Sequence, residues 1–141
     1  ENFSINEGNP PEVNLKNERE NGENVLSLIQ KNLVLSAHDV SSGGLLVSLS
    51  EMSIASKLGV KIQKPKKLTN LNEYYFGEDQ SRYLLEISED HLTKVEKNLK
   101  KNNIFYELIG KTQKRYFEIE NEIKLDVNYL SKINNQWYYN Y

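Results

Sequence analysis

The feature that most constrains the fold of this 141-residue chain is the stretch from Leu33 to Leu49, LVLSAHDVSSGGLLVSL. Leu33 to Ala37 form an apolar run of strand length, and the apolar residues after Gly43-Gly44 recur at the three- and four-residue spacing of a helix. The stretch therefore predicts a strand, a polar loop and a helix. The helix face that we expect to pack on the sheet consists of Leu45, Leu49, Met52 and Ala55.

The loop between this strand and this helix carries the first candidate site, which consists of His38, Asp39, Ser41, Gly43 and Gly44. Glycines at a helix start let backbone N–H groups approach a ligand, and the positive end of the helix dipole favours a phosphate or carboxylate. We therefore expect the loop to bind an anion. The alternative is that Ser41 or Ser42 caps the helix, that the glycines only permit a tight turn, and that His38 and Asp39 satisfy each other locally.

A second candidate site lies in the polar segment before an apolar run, Tyr83 to Ile87, that predicts another strand. It contains Glu78, Asp79 and Gln80. Carboxylates can bind a divalent cation or orient a substrate hydroxyl, but neighbours on an extended chain point to opposite sides. Only one of Glu78 and Asp79 is therefore expected to face a given ligand. The alternative is a turn in which the carboxylates pair with Arg82.

Composition narrows the class of protein. Cysteine is absent and there are two histidines, so we expect no disulfide framework, no thiol chemistry and no histidine-based metal site. No segment has the roughly 20 apolar residues of a membrane span, and the N-terminus is unlike a signal peptide, so we expect a cytoplasmic protein without a membrane partner. The net charge is −2 and only three of the 18 basic residues are Arg, which disfavours nucleic acid as a partner.

The rest of the chain predicts an α+β domain, a mixed β-sheet packed with helices. We expect residues 1–14 to be an extended leading segment and residues 15–141 to be one domain. Further helices are predicted over 15–31, from Ser88 onward and near 126–133. Further strands are predicted over 60–62, 104–109, 115–119 and 122–127, with a turn at 110–114 and a left-handed helix cap at Gly59.

Two other features bear on the context of the chain. The one methionine, Met52, is internal, so we expect the sequence to be a piece of a longer protein. An aromatic cluster, Trp137 to Tyr141, ends the sequence. Aromatic residues at a terminus either dock on their own domain or belong to an interface with a partner, and the pattern leaves both open.

Three motifs together resemble the C-terminal domain of the phosphoribosylformylglycinamidine (FGAM) synthase family. They are Gly8 to Leu15 (GNPPEVNL), Ala37 to Leu45 (AHDVSSGGL) with Ser50-Glu51-Met52, and Phe76 to Arg82 (FGEDQSR). The motifs occur in the order and spacing of the family, and the resemblance covers nearly the whole chain. The relatives of this family include aminoimidazole ribonucleotide synthetase and selenophosphate synthetase.

The resemblance implies a three-layer α/β/α fold like that of the C-terminal domain of aminoimidazole ribonucleotide synthetase-related enzymes. It also implies a ligase that uses ATP, Mg²⁺ and glutamine-derived ammonia to form an amidine in de novo purine synthesis. The implied partners are the preceding ATP-binding and duplicated synthetase domains and a glutamine amidotransferase. Since ATP and metal ligands lie mainly on those preceding domains, we assign no catalytic residue and no metal ligand here, and we expect the fragment alone to hold no cofactor tightly and to be inactive.

Carried over residue by residue, the resemblance makes Glu78-Asp79-Gln80 the counterpart of a Glu-Ser-Gln segment that contacts the ribonucleotide in the first half of the duplicated enzyme. Asp79 departs from that pattern, and Ser42 stands where the family usually has Asp. The second half is similar to a pseudo-active site that holds a structural nucleotide in some members. These residues and the first loop are therefore candidates for nucleotide-phosphate or substrate binding.

Three functions are compatible with the sequence. The motifs favour a domain of FGAM synthase. The alternatives are a non-catalytic scaffold or interaction module, which would use the aromatic tail or a sheet edge, and a part of another ATP-dependent synthetase of the same superfamily. An ATP-binding domain encoded upstream would separate the first function from the second, and a dimer of the fragment is left open.

Overall fold

The computed structural model describes residues 12–65 and 70–136, and within these ranges it contains five helices and six strands. The helices are α1 (Leu15–Gln30), α2 (Gly44–Ser56), α3 (Leu71–Phe76), α4 (Glu89–Lys101) and α5 (Val127–Gln136). The strands are β1 (Ser36–Asp39), β2 (Gly59–Ile62), β3 (Tyr83–Glu86), β4 (Gly110–Gln113), β5 (Tyr116–Ile119) and β6 (Ile123–Asp126). Most of the predicted leading segment and the whole aromatic cluster lie outside the described residues. Each helix of the described ranges is too short or too polar to span a membrane.

The strands form two sheets rather than the single sheet that the sequence predicts. β1 pairs antiparallel with β3, with Ala37 opposite Leu85. The second sheet has the order β4-β2-β5-β6, in which β2 runs parallel to β5 and the other neighbours are antiparallel. This second sheet is mixed, and the predicted α+β class is confirmed.

Two hydrophobic cores lie on opposite faces of β3. Leu84 points into the α2 core, whereas the next residue, Leu85, packs against the α1–α4 core, because successive strand residues face opposite sides. The α2 core consists of buried Val40, Leu45, Leu49, Val60, Ile62, Tyr75, Leu84, Phe117 and Ile119. The α1–α4 core consists of buried Leu28, Leu33, Val95 and Leu99. Helices thus cover both faces of the two-stranded sheet, which gives three layers at this point of the fold.

The predicted strand over Leu33 to Ala37 is wrong in its position, because its first residues complete helix α1. Asn32 adopts a left-handed backbone with φ of 54°. The N–H of Leu33 donates to the carbonyl of Leu28 at 3.1 Å, which is the hydrogen bond of a Schellman helix end. Leu33 is consequently buried in the α1–α4 core, whereas Leu35 is 63% exposed, and the strand begins only at Ser36.

The same helix ending explains a second incorrect strand, predicted over 104–109. Asn103 has φ of 54°, and the N–H of Ile104 donates to the carbonyl of Leu99 at 2.9 Å. Ile104 packs on the same core as Leu33. The chain then continues without strand pairing to β4, which occupies residues where a turn was predicted. Both errors have the same cause. An apolar residue that closes a helix after a left-handed Asn has the same sequence pattern as the first residue of a strand.

The predicted face of α2 is largely confirmed. Leu45 and Leu49 are buried and Met52 packs against the α2 core, whereas Ala55 is exposed, so that its assignment was wrong. The left-handed residue that ends α2 is Lys57, with φ of 57°, rather than Gly59. Gly59 instead lies in β2, where a Cβ would stand 2.2 Å from the Tyr116 carbonyl oxygen, so glycine is required there for close strand packing.

The outer face of the four-stranded sheet carries charges instead of apolar residues. Lys61 Nζ lies 3.1 Å from Glu118 Oε1, and Lys124 Nζ lies 3.6 Å from Glu118 Oε2. The hydrogen bond from Lys61 is the largest cause that holds the pKa of Glu118 below its ordinary value of 4.5. The sheet therefore has one face on the α2 core and one polar face, as is common where only one side of a sheet is covered.

We expect Leu49→Ala to lower the free energy of unfolding by about 2–5 kcal/mol, since it removes methyl groups from a buried site and leaves a cavity. The control is Val47→Ala on the same helix, where the side chain is 37% exposed. Its effect should stay within about 0.5 kcal/mol. Urea denaturation measures both, and equal midpoints for the two variants would show that the burial of Leu49 contributes little.

We expect part of the acid sensitivity of the fold to come from Glu118. A carboxyl group with a lowered folded pKa stabilises the fold above its ordinary pKa, and this contribution is lost as the pH falls through the folded value. Glu118→Gln should therefore lose less stability than the wild type between about pH 6 and about pH 3 in urea denaturation. Glu12→Gln is the control, since Glu12 is exposed and forms no ion pair within the described ranges, and it should keep the wild-type loss.

Candidate functional site

The loop from Ser41 to Gly44, which we call the Gly-Gly loop, leads into helix α2 without a side-chain cap. Gly43 is the N-cap with φ of 83°, and Gly44 follows with φ of 71°. The N–H of Gly44 donates to the carbonyl of Ser41 at 2.9 Å, which closes a tight turn. The alternative of a serine cap is thus wrong, while the tight turn that formed part of the same alternative is confirmed. Two successive left-handed residues explain why glycine stands at both positions.

Gly44 brings the two candidate segments into direct contact. A Cβ on Gly44 would lie 2.6 Å from the carbonyl carbon of Phe76 and 2.9 Å from the carbonyl oxygen of Tyr75. Since both are backbone atoms, the start of α2 packs directly on the end of α3. The polar segment that follows α3 consequently lies beside the Gly-Gly loop.

The carboxylate of Glu78 accepts the N–H of Gly43 at 2.8 Å, across 35 residues of sequence. This backbone donor is the one that we expected to bind a ligand anion. In the structure an anionic group of the chain itself occupies that position at the positive end of α2. An external phosphate or carboxylate would have to displace Glu78 to use the same donor.

Glu78 and Asp79 point to different partners, as expected for neighbours on an extended chain. Asp79 Oδ2 lies 3.6 Å from Arg82 Nη1, so the ion pair of the alternative interpretation is present. The guanidinium of Arg82 also donates to the carbonyl oxygens of Gly77 at 3.0 Å and of Tyr74 at 3.2 Å. The segment between α3 and β3 is therefore closed on itself by one side chain.

His38 faces a different part of the surface from Glu78. Its Nδ1 lies 2.6 Å from the carbonyl oxygen of Asp39 and 3.7 Å from the Asp39 carboxylate, and its Nε2 lies 3.5 Å from the Glu51 carboxylate. His38, Ser41 and Glu51 line an open groove of about 800 Å³ between β1 and α2. The structure thus places the imidazole of His38 beside Glu51, a residue of the second family motif that was not predicted as a site residue.

A buried hydroxyl holds the two ends of the first loop together. Ser48 is 1% exposed, and its Oγ lies 3.2 Å from the Asp39 carbonyl oxygen and 3.1 Å from the Gly44 carbonyl oxygen. It thereby connects the end of β1 to the first turn of α2. The sequence analysis missed this residue because a serine within an apolar helix stripe carries no periodic signal.

Gln80 lines a small polar cavity, which we call the amide cavity. Its volume is about 200 Å³, and its walls are Glu12, Asn14, Asn17, Asn21, Gln80 and Ser81. Asn21 Nδ2 donates to Ser81 Oγ at 2.7 Å, and Ser81 Oγ donates to the Asn17 carbonyl at 3.2 Å. Asn14 is the N-cap of α1, as its position before the helix predicts, and its side chain accepts the N–H of Asn17. Asn17 and Asn21 were not assigned from the sequence, although their spacing of four residues places them on one helix face.

The part of the chain that the structure describes contains no cluster of metal-binding side chains. Within 12–65 and 70–136, no group of three or more His, Asp or Glu side chains is arranged to hold a metal ion. Asp39 is exposed, and its carboxylate lies 3.7 Å from the Nδ1 of His38. The side chains of this part of the chain therefore do not fit the Mg²⁺ that the resemblance implies for the complete enzyme.

The comparisons with known proteins identify the class of the chain. Residues 2–120 match the family described as AIR synthase related protein, C-terminal domain. The match covers most of the sequence, and the chain belongs to this family.

Curated relatives narrow the comparison to one enzyme of the class. The chain is 42% identical over 134 residues to phosphoribosylformylglycinamidine synthase subunit PurL of Pelagibacter ubique, which covers 95% of this chain and 18% of the relative. It is 37% identical to the same subunit of Rhodopseudomonas palustris over 93% of this chain and 18% of the relative. The resemblance to FGAM synthase is thus confirmed, and the chain spans about a fifth of the length of these relatives.

Solved structures confirm the fold. Thermotoga maritima PurL complexed with FGAR superposes with a TM-score of 0.69 at 20% identity, over 81% of this chain and 21% of that chain. The PurLQS structure from the same organism gives a TM-score of 0.69 at 20% identity with the same coverage. At this level of identity the likeness concerns the fold of the domain.

We expect Gly44→Ala to destabilise the chain by more than about 1 kcal/mol, because it combines a left-handed backbone with a clash against α3. The control is Gly22→Ala in α1, where the nearest atom to a new Cβ is Tyr83 Oη at 3.4 Å. That change should be neutral or stabilise by up to about 1 kcal/mol, since Ala favours a helix interior. Thermal and urea unfolding measure both variants, and equal stability of the two would contradict the close packing of α2 on α3.

Proposed function

We propose that this chain acts as the C-terminal synthetase domain of an FGAM synthase, with residues 1–14 leading into a single domain of residues 15–141. The complete enzyme would convert formylglycinamide ribonucleotide (FGAR) to its amidine with ATP and glutamine-derived ammonia. The observation that carries this proposal is the 42% identity to a PurL subunit over 95% of this chain. Two of the three family motifs also lie in contact in the fold, at Gly43 and Glu78.

Within that enzyme, we propose that the amide cavity contributes to a ribonucleotide or nucleotide-phosphate site. Side-chain amides donate and accept hydrogen bonds, so a cavity lined by Asn17, Asn21 and Gln80 suits the hydroxyl groups of a ribose. A phosphate would lie away from the Glu12 carboxylate in the cavity wall, because like charges repel. The carboxylates of Glu78 and Asp79 are engaged by Gly43 and Arg82. Of the polar segment, Gln80 is therefore the residue that this arrangement leaves facing the cavity.

The first loop has a more limited part in this proposal. An anion would reach the N–H of Gly43 only after displacing Glu78, and the N–H of Gly44 already donates to the Ser41 carbonyl. Both observations favour a mainly structural role for the loop in this half of the enzyme. His38 and Ser41 line the groove between β1 and α2, and the exposed Asp39 lies beside His38. There these residues would contact a neighbouring domain or its ligand. Each of these residues is assigned to binding or positioning rather than to bond breaking.

Cofactors and partners follow from the complete enzyme. Thermotoga maritima PurL has been solved with ATP and, together with other subunits, as PurLQS. Because the described part of this chain lacks a set of metal ligands, we propose that Mg²⁺ and ATP are held by the preceding domains of a longer chain. A glutamine amidotransferase would supply ammonia, and the cytoplasm is the proposed location.

The proposal predicts that the isolated chain forms no FGAM from FGAR, ATP and ammonia, since stabilisation of a phosphoryl-transfer step needs Mg²⁺ ligands and phosphate clamps that it does not supply. A chimera in which this chain replaces the matching segment of Pelagibacter ubique PurL should form FGAM in the same assay. The control is the PurL chain with that segment deleted, which should be inactive. A folded but inactive chimera, or an active isolated chain, would refute the proposal.

A further inference from the structure

We infer that Arg82 is a positioning residue of the candidate site. Together with the hydrogen bonds of Ser81 to α1, its guanidinium holds the segment from Gly77 to Ser81 in the conformation that turns Glu78 toward Gly43 and Gln80 into the amide cavity. Arg82 itself contacts neither Gly43 nor the amide cavity, so it acts through the segment that it closes.

The hydrogen bonds of the guanidinium connect both ends of this segment. Arg82 follows the segment, while the carbonyl oxygens that it binds belong to Tyr74 in the last turn of α3 and to Gly77 directly after α3. A helix end leaves its last carbonyls without intrahelical partners, so a cation is favoured there. Two parallel donors in a rigid plane suit two carbonyls, which a lysine ammonium cannot reproduce in the same geometry.

The ion pair with Asp79 decides which carboxylate reaches the Gly-Gly loop. Asp79 Oδ2 lies 3.6 Å from Arg82 Nη1, on the side of the segment that faces the guanidinium. The adjacent Glu78 therefore points to the opposite side and accepts the N–H of Gly43 at 2.8 Å. Without the guanidinium, Asp79 loses this partner. The other described contacts of the segment hold its two ends, Gly77 to Glu73 and Ser81 to Asn17 and Asn21, and leave Glu78 and Asp79 between them.

The backbone of Arg82 has a separate role that allows its side chain to be tested. Its carbonyl oxygen accepts the N–H of Val40 at 2.8 Å, next to the pairing of β1 with β3. A side-chain substitution leaves this hydrogen bond available. The Arg82 side chain is 26% exposed, so a polar replacement can still reach water. We therefore expect variants at Arg82 to keep the sheet and to change the segment before it.

The test is an NMR experiment on the 141-residue chain with ¹⁵N labelling. Glu78→Ala removes the acceptor of the Gly43 N–H and gives the amide shift of Gly43 without this hydrogen bond. Arg82→Gln should move the Gly43 amide resonance toward this reference, and Arg82→Lys should move it less. The control is Arg115→Gln, which removes an arginine paired with Asp126 on the far hairpin and should leave the Gly43 resonance in place.

A double variant separates positioning from a general loss of structure. If Arg82 acts through Glu78, Arg82→Gln should shift the Gly43 amide much less in the Glu78→Ala background than in the wild type. The amide resonances of residues in the α1–α4 core show whether each variant is folded. If Arg82→Gln does not fold, Arg82→Lys is used in its place. A Gly43 resonance that keeps its wild-type position in the folded variant, Arg82→Gln or Arg82→Lys, would overturn the inference.

The consequence for binding rests on the proposed function and is measured separately. In the active chimera, Arg82→Lys should raise the KM for FGAR more than it lowers kcat, because it misplaces a binding residue and leaves the reacting groups in place. If the Gly43 amide shifts but the KM does not change, Arg82 positions the segment and the amide cavity does not bind the substrate. Failure of the positioning role of Arg82 can thus be distinguished from failure of the proposed binding by the amide cavity.

Discussion

The contact between the backbone of Gly44 and the end of α3 is the constraint on which the arrangement of the site depends. It requires that a residue without a Cβ stands at the start of α2, since any side chain would meet backbone atoms of Tyr75 and Phe76. Once this contact forms, two segments that are 35 residues apart come within hydrogen-bond distance at Gly43 and Glu78. The donor at the helix start is then satisfied by an internal carboxylate, which is both the favoured charge at that position and a link between two motifs.

The sequence predicted the elements whose signals are local. The helices α1, α2 and α4 follow from their apolar spacing, and the hairpin of β5 and β6 follows from its alternation around Asn121, which has φ of 62°. The errors occur where a local signal has two meanings. An apolar residue after a left-handed Asn serves at Leu33 and Ile104 to close a helix, and only the hydrogen bonds of the folded chain distinguish this from a strand. The division of the strands into two sheets was likewise not predictable, because it depends on long-range pairing.

For the candidate site, sequence reasoning found the segments and not their connections. It named Gly43, Glu78 and Gln80, but a hydrogen bond across 35 residues has no periodicity from which it can be read. The asparagines on this side of α1 were detectable in principle, because Asn17 and Asn21 share one face of the helix and follow the N-cap Asn14. That they line a cavity could be seen only in the structure, where Gln80 and Ser81 form the opposite wall. The family resemblance could not supply this either, since Asp79 and Ser42 depart from its pattern.

The strand β3 has neighbours that differ on its two faces. Leu84 belongs to the core that supports the Gly-Gly loop, while Leu85 belongs to the core of the α1–α4 pair. The side chains of each core therefore pack only against other residues of the same core. A substitution in one core is separated from the other core by the thickness of one sheet, so its effect on the other core is small. A substitution in the α1–α4 core therefore changes packing that the α2 core does not share, apart from the backbone of β3. One sheet thus lets a single domain divide its mechanical tasks, since one side anchors a pair of helices and the other side supports a binding loop.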